Sequence, residues 1–248
     1  KPPFPWRAAL TSIPLWATFI AHWAGDWAAY AMLTSMPTFM NDVLKISQSS
    51  LGLLSSLPYV AYFCGTNISG FLADFLQSRK YLEAAMTRKL MTAIAYGGQG
   101  TFLVAAGLCS EGQVTLVTTF LTLGMGLSGF QYSGVLINYM DIAPQFSGTL
   151  FGIGNTMSSM AGILAPAVMG AMTPNGTKEE WLLFFNLTDR ILTVSFVLFL
   201  IFGKGEVLPW ARDCAKQQKE NSKVHDYSLK TLKDGAVFKG TQSETAEA

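Results

Sequence analysis

Four stretches of this chain carry no charged side chain: 46–73, 90–110, 112–140 and 142–177. Soluble domains are roughly a quarter charged, so runs of this length restrict the chain to very few folds. A crossing of the bilayer takes about 20 apolar residues in helical form, because a helix satisfies its own backbone polar groups in hydrocarbon. Each run is long enough for one crossing. The stretch from Gly124 to Gly170 shows the grammar best. Two apolar runs, 124–140 and 148–169, flank the corner Asp141-Ile-Ala-Pro144-Gln-Phe-Ser147, and Asp141 is the only charge in the stretch. Glycine recurs at 124, 126, 129, 134, 148, 152, 154, 162 and 170. Such density would spoil a helix in water, but in a membrane it lets helix backbones approach closely. The stretch is expected to be a transmembrane hairpin, with Pro144 in the turn and Pro166 bending the second helix.

Extending this reading gives six spans, at about 9–36, 50–73, 88–109, 113–140, 147–172 and 181–203. Residues 1–212 would form one transmembrane bundle and 213–248 a polar, disordered cytoplasmic tail. Only 13% of residues are charged and the formal net charge is +1, which argues against a nucleic-acid partner. Cys64, Cys109 and Cys214 show no metal spacing and read as free thiols. The opening Lys1-Pro-Pro-Phe-Pro-Trp6 is no signal peptide. The absence of an initiating Met suggests a piece of a longer protein.

Basic residues set the orientation. With a cytoplasmic N-terminus, Lys1, Arg7, Arg79, Lys80, Arg88, Lys89 and all those from Lys204 onward face the cytoplasm. Lys45 and Lys178 face outward, and Arg190 lies inside a span. Both termini are therefore expected to be cytoplasmic.

The first span is the least apolar. Thr18, His22, Asp26, Tyr30 and Thr34 are spaced by four, so they share one helix face that drifts only about 40° per step. A carboxylate in mid-membrane is expensive and faces a wet cavity or a partner. His22 has an ordinary pKa of roughly 6.5, so the pair could bind or relay a cation, most simply a proton. A plainer reading is that His22 and Asp26 bond each other and tie the helix to a neighbour. Tyr59 and Asn155 are further candidates for a cavity lining. Tyr62, Asn67, Gln131, Tyr132 and Asn138 read as inter-helix hydrogen bonds, as does Arg190 with Asp189 as a structural group. Asp74, at a helix end facing Arg79, Lys80, Arg88 and Lys89, could form a breakable latch between helices. Asn175-Gly-Thr177 is a glycosylation sequon on an expected outer loop. Gly124-Met-Gly126-Leu-Ser-Gly129 fits a dinucleotide fingerprint but follows no strand, so it reads as packing. No nucleophile elbow, H-E-x-x-H or Cys/His cluster is present, so the chain is not expected to be an enzyme.

Gly70-x-Leu-Ala-Asp74 followed by Arg79 and Lys80 resembles the cytoplasmic loop motif of the major facilitator superfamily. Asn138-Tyr-Met-Asp141-Ile-Ala-Pro144, Ser147-Gly, Gly152-Ile-Gly-Asn155-Thr, Gly162-Ile and Pro166 resemble its anion:cation symporter family more narrowly. So do Pro5-Trp6, Thr11-Ser12 and Pro14-x-Trp16 at the start, and Gly205-Glu206-x-x-Pro-Trp210-Ala211 at the end. That family includes sialin, the vesicular glutamate carriers and the sodium–phosphate cotransporters. The resemblance covers about residues 5–212 and implies an all-α membrane protein: six transmembrane helices forming the C-terminal half of a twelve-helix carrier. Two three-helix repeats of inverted topology would build that half.

The resemblance also implies a function. The chain would belong to a secondary active transporter of a small organic anion, working by alternating access, with no cofactor but a coupling ion, H⁺ or Na⁺. Gly70, Asp74, Arg79, Lys80 and Asp141 would govern the gate; His22, Asp26, Tyr30, Tyr59 and Asn155 would line the pathway. Glutamate carriers of the family have Arg about where Gly25 lies, and His22 five residues before Trp27 is more sialin-like, which points to H⁺ coupling. Tyr139 stands where the family usually has His. The family's principal anion-binding arginines and a coupling acid lie in the N-terminal half, the expected partner together with membrane lipid. The membrane would be lysosomal or vesicular, or the plasma membrane. Alternatives are a Na⁺-coupled phosphate or anion cotransporter, and a non-transporting membrane scaffold or sensor.

Overall fold

A computed structural model of the chain describes residues 4–45, 48–110 and 112–214. Among these residues the secondary structure is helical throughout, without a strand. The helices are α1 (Trp6–Leu10), α2 (Ile13–Leu44), α3 (Gln48–Ser78), α4 (Ala84–Leu108), α5 (Val114–Ser128), α6 (Ile137–Ile142), α7 (Ser147–Met172) and α8 (Lys178–Phe202). A π-helical turn, Tyr132–Leu136, joins α5 to α6, so the two make one long rod. A single 3-10 turn, Pro144–Phe146, forms the corner before α7. The tail beyond Cys214 lies outside the described residues.

Among the described residues six long rods overlap the stretches expected as spans, and the first differs in extent. The run expected at 9–36 starts as the separate short α1, breaks at Thr11–Ser12, and then continues as α2 through Pro37 to Leu44. Pro14 takes the second position of α2, where a missing N–H costs nothing. Pro37, Pro58 and Pro166 all lie inside helices that continue past them. α8 opens with a capping box: Thr177 accepts from the Glu180 N–H while Glu180 reaches back to Thr177. The rods are long enough to cross hydrocarbon of about 30 Å, since 25 residues of helix run roughly 37 Å. Two of them, Val114–Ile142 and Lys178–Phe202, also qualify by apolar composition alone.

The packing has an internal symmetry. α2 lies against α7 and α8, α5 against α3 and α4, and α4 against α8. Exchanging α2, α3 and α4 for α5–α6, α7 and α8 leaves that pattern unchanged. Because α4 ends where α5 begins, α2 and α5 run in opposite directions, as an inverted repeat requires.

Polarity is arranged inside-out relative to a soluble protein. Phe71 is 77% exposed, Ile163 75% and Phe63 69%, while Thr18, His22, Arg88, Asn138, Ser158 and Thr188 are buried. Burying polar side chains and exposing phenylalanine makes sense only where the surroundings are lipid or another protein. The glycines serve close approach, as expected. At the α3–α5 crossing a Cβ on Gly65 would run into the backbone of Gly126. At Gly97 it would meet nothing.

Gly65→Val is therefore expected to destabilise the protein by about 1–3 kcal/mol through forced separation of the two helices. Gly97→Ala should be neutral or slightly stabilising. Thermal unfolding of both variants in detergent checks this.

Candidate functional site

The site grows from one face of α2. Spacing by four puts Thr18, His22, Asp26 and Tyr30 along that face, and neighbouring helices supply the partners. Thr18 Oγ1 donates to the Pro14 carbonyl at 3.0 Å and accepts from Asn138 Nδ2 at 3.0 Å. His22 is 2% exposed, its ring stacked against Phe151 of α7 with centroids 5.8 Å apart. Its Nδ1 lies 3.1 Å from Tyr139 Oη of α6. Its Nε2 lies 3.5 Å from Asp26 Oδ2.

Asp26 is the centre. Ser158 of α7 donates its hydroxyl to Oδ2 at 2.5 Å, and Gln131, just before the π turn, donates Nε2 to Oδ1 at 3.3 Å. The carboxylate thus has donors from two other rods and keeps 20% of its side chain accessible. Since Asp26 can only accept while ionised, the neighbouring His22 Nε2 must carry a hydrogen. The other ring nitrogen, Nδ1, shares a hydrogen bond with the Tyr139 hydroxyl, its direction set by the tautomer. Tyrosine can occupy this place because the facing residue is Gly154. A Cβ there would collide with Tyr139 Oη and crowd His22 Nδ1.

Gly25 is constrained in the same way. A Cβ would collide with Gln131 Oε1 and press on Tyr96 Oη, and Tyr96 donates to the Ala21 carbonyl. No arginine fits at position 25 while Gln131 holds Asp26. Tyr30 lies one turn on, its ring against Gly162. Trp27 donates to Thr188 of α8 at 3.4 Å and lies 5.4 Å from Trp23, centroid to centroid.

Two other expected members stand apart. Tyr59 is half-buried against the apolar core around Trp27 and Leu121. Asn155 is exposed on α7, and its carbonyl accepts from Ser159 at 2.7 Å and from Ser158 at 3.4 Å. Gln131, Ser158, Tyr139 and Tyr96 are the partners that the α2 spacing alone did not identify.

The second constellation lies at the end of the bundle where α3, α6 and α8 finish. Arg88 of α4, 6% exposed, donates Nε to Asp141 Oδ2 at 2.6 Å and Nη2 to Oδ1 at 3.3 Å. Its Nη1 donates to the Ser133 carbonyl at 3.0 Å. The expected latch is therefore made by Arg88 with Asp141. Asp74, Arg79 and Lys80 are exposed and form no ion pair among the described residues. Gly70 is half-buried, with open space where a side chain would project. At the opposite end Asn175 is exposed, and its amide donates to Glu180 Oε1 at 2.7 Å. Glycosylation there would require that bond to open.

Arg88→Ala strands a largely buried carboxylate and is expected to cost about 3 kcal/mol. Arg88→Ala with Asp141→Asn should recover part of that loss. Thermal unfolding across the double-mutant cycle measures the coupling.

Comparison with known proteins agrees with this geometry. The chain matches the Major Facilitator Superfamily over residues 1–166. It is 49% identical over 225 residues to the uncharacterized transporter slc-17.2 of Caenorhabditis elegans, covering 91% of this chain and 46% of that protein. It is 37% identical over 207 residues to human sialin, covering 84% and 42%. It is 33% identical over 225 residues to vesicular glutamate transporter 1 of Xenopus laevis, covering 91% and 39%. The chain spans less than half the length of these relatives. These relatives fall within the anion:cation symporters, and the chain is a multi-pass membrane protein that belongs to the Major Facilitator Superfamily.

Proposed function

We propose that this chain is the C-terminal six-helix half of a secondary active transporter that couples the movement of a small organic anion to protons. In this reading all six rods cross the bilayer, both ends face the cytoplasm, and 1–212 rocks as one body against an N-terminal half. The observation that carries it is Asp26: a carboxylate inside an apolar bundle, held by Ser158 and Gln131 and adjoining His22. A charge at that depth is retained where it binds or releases a cation. His22 adds an imidazole whose Nε2 lies 3.5 Å from that carboxylate.

Each residue has a place in the cycle. With Asp26 ionised, Ser158 and Gln131 tie α2 to α7 and to the π turn. Proton arrival removes the charge that those donors stabilise, so α2 can move relative to α7. The substrate's negative charge would be met mainly by the other half, because Gly25 leaves no room for an arginine here. Arg88–Asp141 closes the cytoplasmic end in one of the two states.

The names of sialin and the vesicular glutamate transporters suggest sialic acid and glutamate as first substrates to test. Full-length protein in proteoliposomes, given a pH gradient without sodium, should accumulate one such organic anion. Asp26→Asn should lose proton-driven accumulation, by a factor of about 100 if the acid is the coupling group, while inserting normally. Uptake that requires sodium, or that survives the substitution, would move the coupling site elsewhere and favour sodium–phosphate cotransport.

A further prediction concerns the isolated chain. Reconstituted alone, residues 1–248 should give no saturable flux, because half the pathway wall is missing. Measurable transport by this half would overturn the two-body reading.

A further inference from the structure

A cavity of about 570 Å³ opens between the start of α2, the start of α4 and the end of α8. It belongs to neither constellation described above. Two cations, Lys89 and Lys204, line it together with one acid, Glu206. Neither lysine has a hydrogen bond or ion pair among the described residues. The rim also includes Ala85 in the first turn of α4. Gly205 closes the floor: a Cβ there would collide with the backbone of Ala85.

The remaining wall is apolar and faces outward. Ile13 is 60% exposed, Ile201 64% and Phe202 41%. A soluble anion has no use for such a wall. At this end of the bundle Arg7, Arg79, Lys80, Arg88, Lys89, Lys204 and Arg212 lie near helix ends. The neighbouring cavity of about 650 Å³, beyond the Gly205–Glu206 strap, provides a contrast. Asp141, Glu206 and Arg212 line it, so its acids outnumber its cation.

We infer that the cavity bounded by Lys89 and Lys204 binds the headgroup of an anionic glycerophospholipid. The phosphate lies between the two ammonium groups near the start of α4, and the acyl chains descend along Ile13, Ile201 and Phe202. This requires only that the bundle spans a membrane, and stands apart from the identity of the substrate. Bound there, the lipid clamps the first helix to the last, since α2 and α8 contribute opposite walls.

The test uses the full-length protein in detergent, titrated with short-chain phosphatidylserine or phosphatidylcholine and followed by native mass spectrometry. Phosphatidylserine should be retained at one tight site and phosphatidylcholine should not. Lys89→Gln and Lys204→Gln should each weaken retention about fivefold. Glu206→Gln should strengthen it, a gain that misfolding does not produce. Arg7→Gln, at the same end but outside the cavity, should leave it unchanged. Equal retention by the lysine variants and the wild type would overturn the site, as would a matching loss in Arg7→Gln. Displacement by inorganic phosphate at the concentration of lipid would replace the lipid with a soluble anion and overturn the proposal.

Discussion

The polar contacts of α2 are arranged around the cost of holding the Asp26 carboxylate inside an apolar bundle. A charge at mid-membrane is tolerated only when donors surround it or water reaches it. Asp26 has both, in part: the hydroxyl of Ser158, the amide of Gln131, the imidazole of His22 and a residual accessible edge. Each donor comes with its own requirement. Gln131 needs Gly25 to be bare, and His22 needs Tyr139, which needs Gly154 to be bare. The small residues of this chain are thus not general lubricants of packing. At these positions they are the space into which the polar groups fit.

The segment 131–141 connects the two constellations. Gln131 reaches Asp26, Ser133 offers its carbonyl to Arg88, Asn138 reaches Thr18, Tyr139 reaches His22, and Asp141 pairs with Arg88. A π turn carries one residue more than an α turn and leaves carbonyls poorly matched within the helix. Arg88 satisfies one of these and simultaneously anchors the end of α6. Asp26 and the ion pair at the helix end are therefore tied to the same short piece of backbone.

The helices were legible because charge marks where they stop. The four neutral runs give the interiors of the rods, and the glycine-rich hairpin was correctly read around Pro144. The limits of the first span were not, because Pro37 looks like a breaker and Thr11–Ser12 does not. In this fold Asp26 is satisfied by other helices and Pro37 lies where its missing hydrogen bond is tolerated, so α2 continues to Leu44. The His22–Asp26 pair was legible for a local reason, the spacing by four. Ser158, Gln131 and Tyr139 lie 105 to 132 residues from their partners, and no local pattern carries such pairings. The latch failed in its acid for the same reason. Asp74 is near the bases in sequence, but it is Asp141, 53 residues beyond Arg88, that the fold delivers.

The exchange-symmetric packing has a consequence for how the protein is made. α2 has its main contacts with α7 and α8, which leave the ribosome only after α3, α4, α5 and α6. When α2 reaches the translocon, Ser158 and Thr188 do not yet exist, and Asp26 and Trp27 face lipid or the insertion machinery without them. Nascent α2 must wait, partly solvated, while more than half of the chain is still being synthesised. α3 and α5, by contrast, can join as soon as the second of them emerges. α2, the helix that carries Asp26, is therefore seated only after α3 and α5 have met.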